Sequence, residues 1–205
     1  RFSPKVSENS PGLKEQRREG IKNEQGNHPT GETITIGNPT DTLTYVRALG
    51  LIVGGYSAYQ RDKRRETDVA VKEEILRCAD RVRTHVENVH DDAYRDGNVK
   101  LAKACQSTIE EIDALRNDVN LGETGGEHPF FSKQIGASKK VLSQLIKHDH
   151  ETITLLVKAV NRSNDLEKTS AEEGDVMKAV RETRQLVTSV RGHFSERRAV
   201  LRKIQ

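Results

Sequence analysis

Apolar residues recur at intervals of three and four along most of this chain, which is the spacing of one face of an α-helix. One such stripe begins at Val69 and ends near Gly97, a second covers 99–119, and a third covers 135–160. Strand-like alternation occurs only around residues 33–36. The pattern therefore predicts an all-α protein in which long amphipathic helices form an elongated antiparallel bundle.

Three glycines and a proline interrupt the helical pattern over 121–129, and this composition ends a helix. We interpret the stretch as a turn between two helical hairpins. Phe130 and Phe131 follow it directly and are predicted to fill the junction of the bundle. The third helix should then run over 132–161, until the polar stretch at 162–169 interrupts it.

The last helix has the most regular repeat. A capping-box pattern at 170–173 predicts its start, and its apolar positions then alternate spacings of four and three, as in the a/d seam of a coiled coil. Thr183 and Arg197 interrupt this seam, where a polar side chain can select a register or a partner. The seam residues that we expect to contact a partner are Val187, Val190, Phe194 and Leu201.

The longest apolar run lies at 43–59. Its core at 48–59 is short, and it approaches the ~20 residues of a membrane span only if 42–60 is helical with Arg47 inside. The run contains three small residues spaced four apart, Gly50, Gly54 and Ala58. On a helix they would lie on one face, and a second helix could approach that face closely. Two interpretations stay open, a membrane-spanning helix and a helix buried in a protein complex, and in both the segment is an association site.

A basic cluster follows the apolar run, and it would anchor the segment at its C-terminal flank. In a membrane it would place the bundle on the positive-inside side, as in an inner membrane. The cluster consists of Arg61, Lys63, Arg64 and Arg65.

The first 40 residues contain four of the five prolines and five glycines, so they can form no helix of more than a few turns. We expect an extended or disordered tail that wraps a partner. The predicted organisation is a tail at 1–40, an apolar glycine-containing helix at 41–60 and a helical bundle at 61–205.

Composition agrees with an assembly component. The chain of 205 residues is 33% hydrophobic and 32% charged, and its 15 glycines raise the apolar fraction to about 40%, whereas an ordinary globular chain is about 45–50% apolar with glycine counted. The low apolar fraction argues against an enzyme with a large hydrophobic core and against a multi-span membrane protein. Two cysteines, Cys78 and Cys105, are too few for a secreted disulfide scaffold, and we interpret them as reduced residues of an intracellular or organellar protein.

No residue pattern points to catalysis, a cofactor or a metal ion. The histidines of 148–151 are two apart, so on a helix they point in nearly opposite directions, and we expect them on a solvated polar face, like the group around His85 and His90. The glycines of 122–126 lack the Lys-Ser/Thr of a phosphate-binding loop.

The sequence therefore predicts a non-catalytic structural or scaffold subunit of a larger assembly, a homo- or hetero-oligomer that residues 42–60 could anchor to a membrane. The alternative is a soluble oligomeric helical protein whose basic flanks bind nucleic acid or an acidic partner.

Overall fold

The computed structural model of the chain describes residues 42–122, 129–132, 136–172 and 175–202. Within these ranges 86% of the residues are helical and no strand occurs, which confirms the all-α prediction. The predicted tail at 1–40 and most of the glycine-rich turn lie outside the described residues. The helices are α1 (Thr42–Ile52), α2 (Arg64–Arg95), α3 (Val99–Leu121), α4 (Lys139–Ala171) and α5 (Val176–Arg202), and a 3-10 turn at Pro129–Phe131 precedes α4.

Helices α2 to α5 form a four-helix bundle, in which α2 and α5 each pack beside both α3 and α4. The order around the bundle is therefore α2, α3, α5, α4. Asp68 near the start of α2 lies in the same cluster as Asp149 of α4, and His85 further along α2 reaches Glu167 of α4, so these two helices run in the same direction. Helix α1 packs on α4 outside the four-helix core.

The predicted stripes line the core of this bundle. Val82, Val86 and Val89 of α2 are fully buried, and Phe130 and Phe131 are buried as well, as their position after the turn predicts. The four seam residues of α5 are also at most 7% exposed, because α5 is itself the fourth helix of the core; they are Val187, Val190, Phe194 and Leu201. The seam thus packs inside the chain's own bundle instead of facing a partner.

Side-chain caps mark three helix starts. The carboxamide oxygen of Asn98 accepts from the Leu101 amide at 3.1 Å, and the Ser138 hydroxyl accepts from the Val141 amide at 3.3 Å. The third cap is Asp175, whose carboxylate accepts from the Lys178 amide at 3.0 Å at the start of α5. The prediction that the last helix starts at 170–173 is wrong, because Ser170 and Ala171 still belong to α4 and α5 begins at Val176.

Helix α4 also continues through the polar stretch at 162–169, where an interruption was predicted. Leu166 and Ser163 are fully buried in this stretch, and the Ser163 hydroxyl donates to the Val160 carbonyl. The inward face of the helix is therefore maintained by one leucine and one internally bonded serine, although the outward face is polar.

Helix α1 is shorter than the predicted helix at 41–60, because it ends at Ile52 and the chain turns from 53 to 63. Gly55 lies in this turn with a φ of +79°, a conformation in which the helix cannot resume. Ala58 and Tyr59 follow with φ of +50° and +56°. None of the helices in the described part of the chain combines the length and the apolarity that crossing a bilayer requires.

Candidate functional site

A charged side chain lies at the centre of one end of the bundle. Arg197 of α5 is 4% exposed, and its guanidinium group donates to three different residues. Nε donates to the Asp149 carboxylate at 3.0 Å, Nη1 to the Asp68 carboxylate at 2.5 Å, and Nη2 to the Tyr59 hydroxyl at 2.5 Å. Lys72 completes the group, with Nζ 3.0 Å from the second Asp68 oxygen. We call these five residues the Arg197 cluster.

The cluster joins three helices and one connecting segment. Asp68 and Lys72 come from α2, Asp149 from α4 and Arg197 from α5, while Tyr59 comes from the 53–63 connection. The Tyr59 hydroxyl also donates to the free oxygen of Asp149, so it bridges the carboxylate and the guanidinium group. The cluster therefore fixes how α2, α4 and α5 and the connection are positioned against each other.

Charges within the Arg197 cluster balance, with two carboxylates against one guanidinium and one ammonium group. Burial raises the pKa of Asp149, and the charge of Arg197 opposes this effect. Burial by itself lowers the pKa of Arg197, but Tyr59 and the two aspartates reverse this, so the pKa stays well above its ordinary value. The cluster is therefore suited to a structural role, because buried charges destabilise a fold unless oppositely charged and hydrogen-bonding groups surround them.

The backbone is strained where the connection enters the cluster. A non-glycine residue in the left-handed region costs about 1–2 kcal/mol, and Ala58 and Tyr59 both adopt it. The Tyr59 ring is 1% exposed and lies 5.8 Å from the Phe130 ring, centroid to centroid. Burial of the ring and the two hydrogen bonds of its hydroxyl offset the strain.

The expectation that 148–151 form a solvated polar face is wrong for the first three residues. His148, Asp149 and His150 are at most 7% exposed, because α1, α2 and α5 all pack against α4. His148 Nε2 lies 2.8 Å from the carbonyl oxygen of His193 and donates to it, and the two rings stack 4.3 Å apart. Burial lowers the pKa of His148 to about 4, so its ring is neutral at pH 7.

The described ranges contain no group of three His, Cys, Asp or Glu residues placed to hold a metal ion. His85 instead contacts the Glu167 carboxylate at 2.5 Å, and His90 lies beside Asp91. These are pairwise contacts between side chains at the surface of α2 and α4.

The two glycines of the predicted association face are exposed, whereas Ala58 packs partly against the core. Gly50 is exposed on α1, and a Cβ atom placed there would meet no atom within 4 Å. The same open space surrounds Gly54, which lies beyond the end of the helix. Ala58 is half-buried in the strained connection, so the three small residues do not share a helix face.

The predicted basic cluster is divided between the interior and the surface. Arg64 is 4% exposed; its Nη1 donates to the Phe130 carbonyl at 2.8 Å, and its guanidinium carbon lies 4.7 Å from the centre of the Phe130 ring. Arg61, Lys63 and Arg65 are exposed. Arg64 thus helps hold the 3-10 turn in place, and the other three remain at the surface.

Sequence reasoning missed Tyr59, Asp68, Lys72 and Asp149. One signal was present, because Arg197 interrupts an apolar seam and a buried arginine requires carboxylate partners. The spacing of apolar residues within each helix gave no means of choosing Asp68 and Asp149 from the many acidic residues of the chain.

Comparison of the chain with protein-family models, with curated proteins and with solved structures finds no match.

Proposed function

We propose that this protein is a non-catalytic helical scaffold subunit that binds another protein through the outer face of α1. One observation carries the proposal: α1 has apolar residues on two sides and the bundle covers only one of them. Leu49 is fully buried on the inner side, whereas Leu51 is 89% and Leu43 is 54% exposed.

The outer face of α1 also has the shape that a partner helix needs. Leu43, Arg47 and Gly50 follow each other at spacings of four and three, so they lie on one side of the helix. The open space around Gly50 allows a partner backbone to come close, and the exposed Leu51 beside it supplies apolar contact area. We define this outer face by Leu43, Arg47, Gly50 and Leu51.

Two features of the bundle support a scaffold role. The α5 seam and the Arg197 cluster are both used internally, which makes the four-helix core a rigid support for α1. In the part of the chain that the structure describes, the other large apolar residues with high exposure lie on α2 and α3 and not on α1; they are Val69, Tyr94, Val99 and Leu121.

Site-specific photocrosslinking in cells of the source organism tests this proposal. A photoreactive amino acid at position 51 should give one discrete covalent adduct, either with another protein or with a second copy of the chain. The matched control replaces Tyr94, which is 76% exposed on α2, with the same photoreactive amino acid, and it should give no discrete adduct. Equal crosslinking from both positions, or none from position 51, would contradict the proposal.

A second candidate function is binding of a polyanion, nucleic acid or an acidic protein, by α5. Helix α5 contains seven Lys and Arg residues against two Glu residues, a net charge of +5, whereas the whole chain carries +3. Arg197 is neutralised inside the bundle and Arg191 pairs with Asp118 at 2.6 Å. The exposed cations of the helix are Lys178, Arg181, Arg184, Arg198 and Arg202.

Binding to a labelled oligonucleotide across a salt series tests this second candidate. Replacing Arg181 and Arg184 with glutamine should reduce the slope of log affinity against log salt by about one to two, because each phosphate contact contributes a slope of about 0.7–0.9. Replacing Lys139 and Lys140 of α4 with glutamine is the control. An affinity that does not depend on salt would remove nucleic acid from consideration.

A further inference from the structure

Arg47 is the one charged residue of α1, and it lies in the middle of the outer face. Leu43 precedes it by one helical turn and Leu51 follows it by one turn, so exposed leucines flank the cation on both sides. The arginine is itself exposed, and among the described residues none forms a hydrogen bond or an ion pair with its guanidinium group. The outer face therefore combines apolar contact area with one uncompensated positive charge.

Neighbouring segments offer this arginine no carboxylate. The stretch 42–61, which contains α1 and most of the connection, has no Asp or Glu residue. On α4, the helix that α1 packs against, Asp149 is held in the Arg197 cluster and Glu151 lies 3.4 Å from His193. A counter-charge for Arg47 has to come from whatever covers the outer face.

A partner that covers the two leucines also removes water from the guanidinium group between them. A cation that loses its water without gaining a counter-charge weakens the complex, so a purely apolar or a basic helix is disfavoured. A carboxylate opposite Arg47 avoids this penalty, because it can accept two parallel hydrogen bonds from the planar guanidinium group.

A second copy of α1 does not meet this requirement. Two α1 helices packed outer face to outer face would bring two arginines together and no carboxylate, since 42–61 contains none. Helix α1 has 11 residues and is therefore about 16 Å long, which matches about three turns of a partner helix. A short helix of a different protein fits the face better.

Charge over a longer range favours the same kind of partner. The stretch 42–65 contains five Lys and Arg residues against one Asp, a net charge of +4, whereas the whole chain carries +3. Lys63 and Arg65 are exposed members of this group. Such a concentration of positive charge attracts an acidic partner before contact and accelerates association.

We propose that the partner of α1 is an acidic amphipathic helix of another protein, in which an Asp or Glu lies one turn from an apolar residue on either side. The carboxylate lies against Arg47, and the apolar residues pack on Leu43 and Leu51 beside the open space at Gly50. This inference rests on the proposed function, because it uses the same face of α1, and it adds the chemistry of the partner.

Variants of Arg47 test this chemistry in the chain that carries the photoreactive amino acid at position 51. Arg47→Glu should lower the yield of the discrete adduct at least about tenfold, because it places two negative groups opposite each other. Arg47→Lys keeps the positive charge and should stay within about threefold of the original yield. Arg181→Glu, at an exposed position of α5, changes the net charge equally and should leave the yield within about twofold.

Mass spectrometry of the digested adduct identifies the crosslinked segment of the partner. This segment should contain an Asp or Glu within four residues of the crosslinked position. Replacing that acidic residue with arginine should lower the yield with the unaltered Arg47 and restore it with Arg47→Glu, since the exchange returns opposite charges to the two sides. Circular dichroism of each variant must match that of the unaltered chain.

The outcomes separate this inference from the proposed function. Absence of a discrete adduct from position 51 overturns both. An adduct whose yield Arg47→Glu leaves unchanged, or whose partner segment has no acidic residue, overturns the acidic helix and leaves the proposed function intact. An adduct with a second copy of the chain does the same. Flotation of the chain with phosphatidylserine vesicles that Arg47→Glu abolishes would assign the face to an anionic membrane and overturns both.

Discussion

Arg197 and Tyr59 are 138 residues apart in the chain, yet Nη2 of the arginine donates a 2.5 Å hydrogen bond to the tyrosine hydroxyl inside the bundle. The hydroxyl in turn donates to Asp149 of α4. Both hydrogen bonds are buried, since Tyr59, Asp149 and Arg197 are at most 4% exposed. The segment that connects α1 to α2 is therefore attached to the bundle by polar bonds as well as by apolar packing.

Tyr59→Phe should destabilise the protein by about 1–3 kcal/mol, because it leaves buried partners of the hydroxyl with fewer hydrogen bonds while the ring still fills its site. Urea unfolding followed by circular dichroism measures the change. Tyr94→Phe removes a hydroxyl from a ring that is 76% exposed, and it should stay within about 0.5 kcal/mol of the unaltered chain. Equal effects of the two variants would show that the Tyr59 hydroxyl contributes nothing.

Arg197→Met should cost about 3–5 kcal/mol, since it leaves two buried carboxylates with fewer cationic partners. Adding Asp149→Asn to this variant removes one of those charges and should recover part of the loss. Arg202→Met, at an exposed position of the same helix, should have little effect. If the double variant is no more stable than Arg197→Met, the loss comes from packing and not from uncompensated charge.

The helices could be predicted largely from sequence, because each presents a stripe of apolar residues that local spacing reveals. Val99 and Val119 mark α3 correctly, and Phe130 and Phe131 lie in the core as predicted. The end of α4 could not be predicted in this way. Its last turns show few apolar residues, and their burial depends on contact with α2 and α5.

The Arg197 cluster could be predicted only in part. Arg197 is conspicuous as a charge in an apolar seam, but its partners come from positions 59, 68 and 149, which no local pattern connects. The burial of His148 was missed for the same reason, since it depends on the contact of its ring with His193 of α5. Contacts between distant segments decide these features, and hydrophobic periodicity describes each segment by itself.

Both cysteines should be unreactive until the protein unfolds. Burial, reinforced by the charge of Glu74, raises the pKa of Cys78 to about 12, and burial raises that of Cys105 to about 11. At pH 8 less than about 0.1% of either thiol is then ionised, and the thiolate is the reactive form.

Reaction with a disulfide reagent such as dithionitrobenzoate measures this reactivity. Native protein should react slowly at both positions, and two thiols should titrate rapidly in guanidinium chloride. Ser189→Cys adds a thiol at an exposed position of α5 and should give one rapidly reacting thiol in the native state. Rapid reaction of the unaltered native protein would contradict the burial of Cys78 and Cys105.

Stability should fall as the pH is lowered from about 6.5 to 4, and His148 should account for much of the loss. Its pKa is about 4 in the folded chain, chiefly because burial penalises the charged ring, and about 6.5 in an unfolded chain. Between these values the unfolded state binds more protons than the folded state. The stability that neutral His148 provides is therefore complete above pH 6.5 and decreases by up to about 3 kcal/mol towards pH 4.

Two other buried groups near His148 titrate in the same experiment. Burial also lowers the pKa of His150, which adds to the loss of stability at low pH. Burial raises the pKa of Asp149, and this stabilises the folded state as the pH approaches the ordinary carboxyl value.

Comparison with His148→Gln separates these effects, because the glutamine amide can replace the Nε2 donor but does not titrate. The unaltered chain should lose more stability than this variant between pH 6.5 and 4.5, whereas His90→Gln, at the surface of α2, should follow the unaltered chain. Parallel pH profiles for the unaltered chain and His148→Gln would show that the folded state tolerates a charged His148.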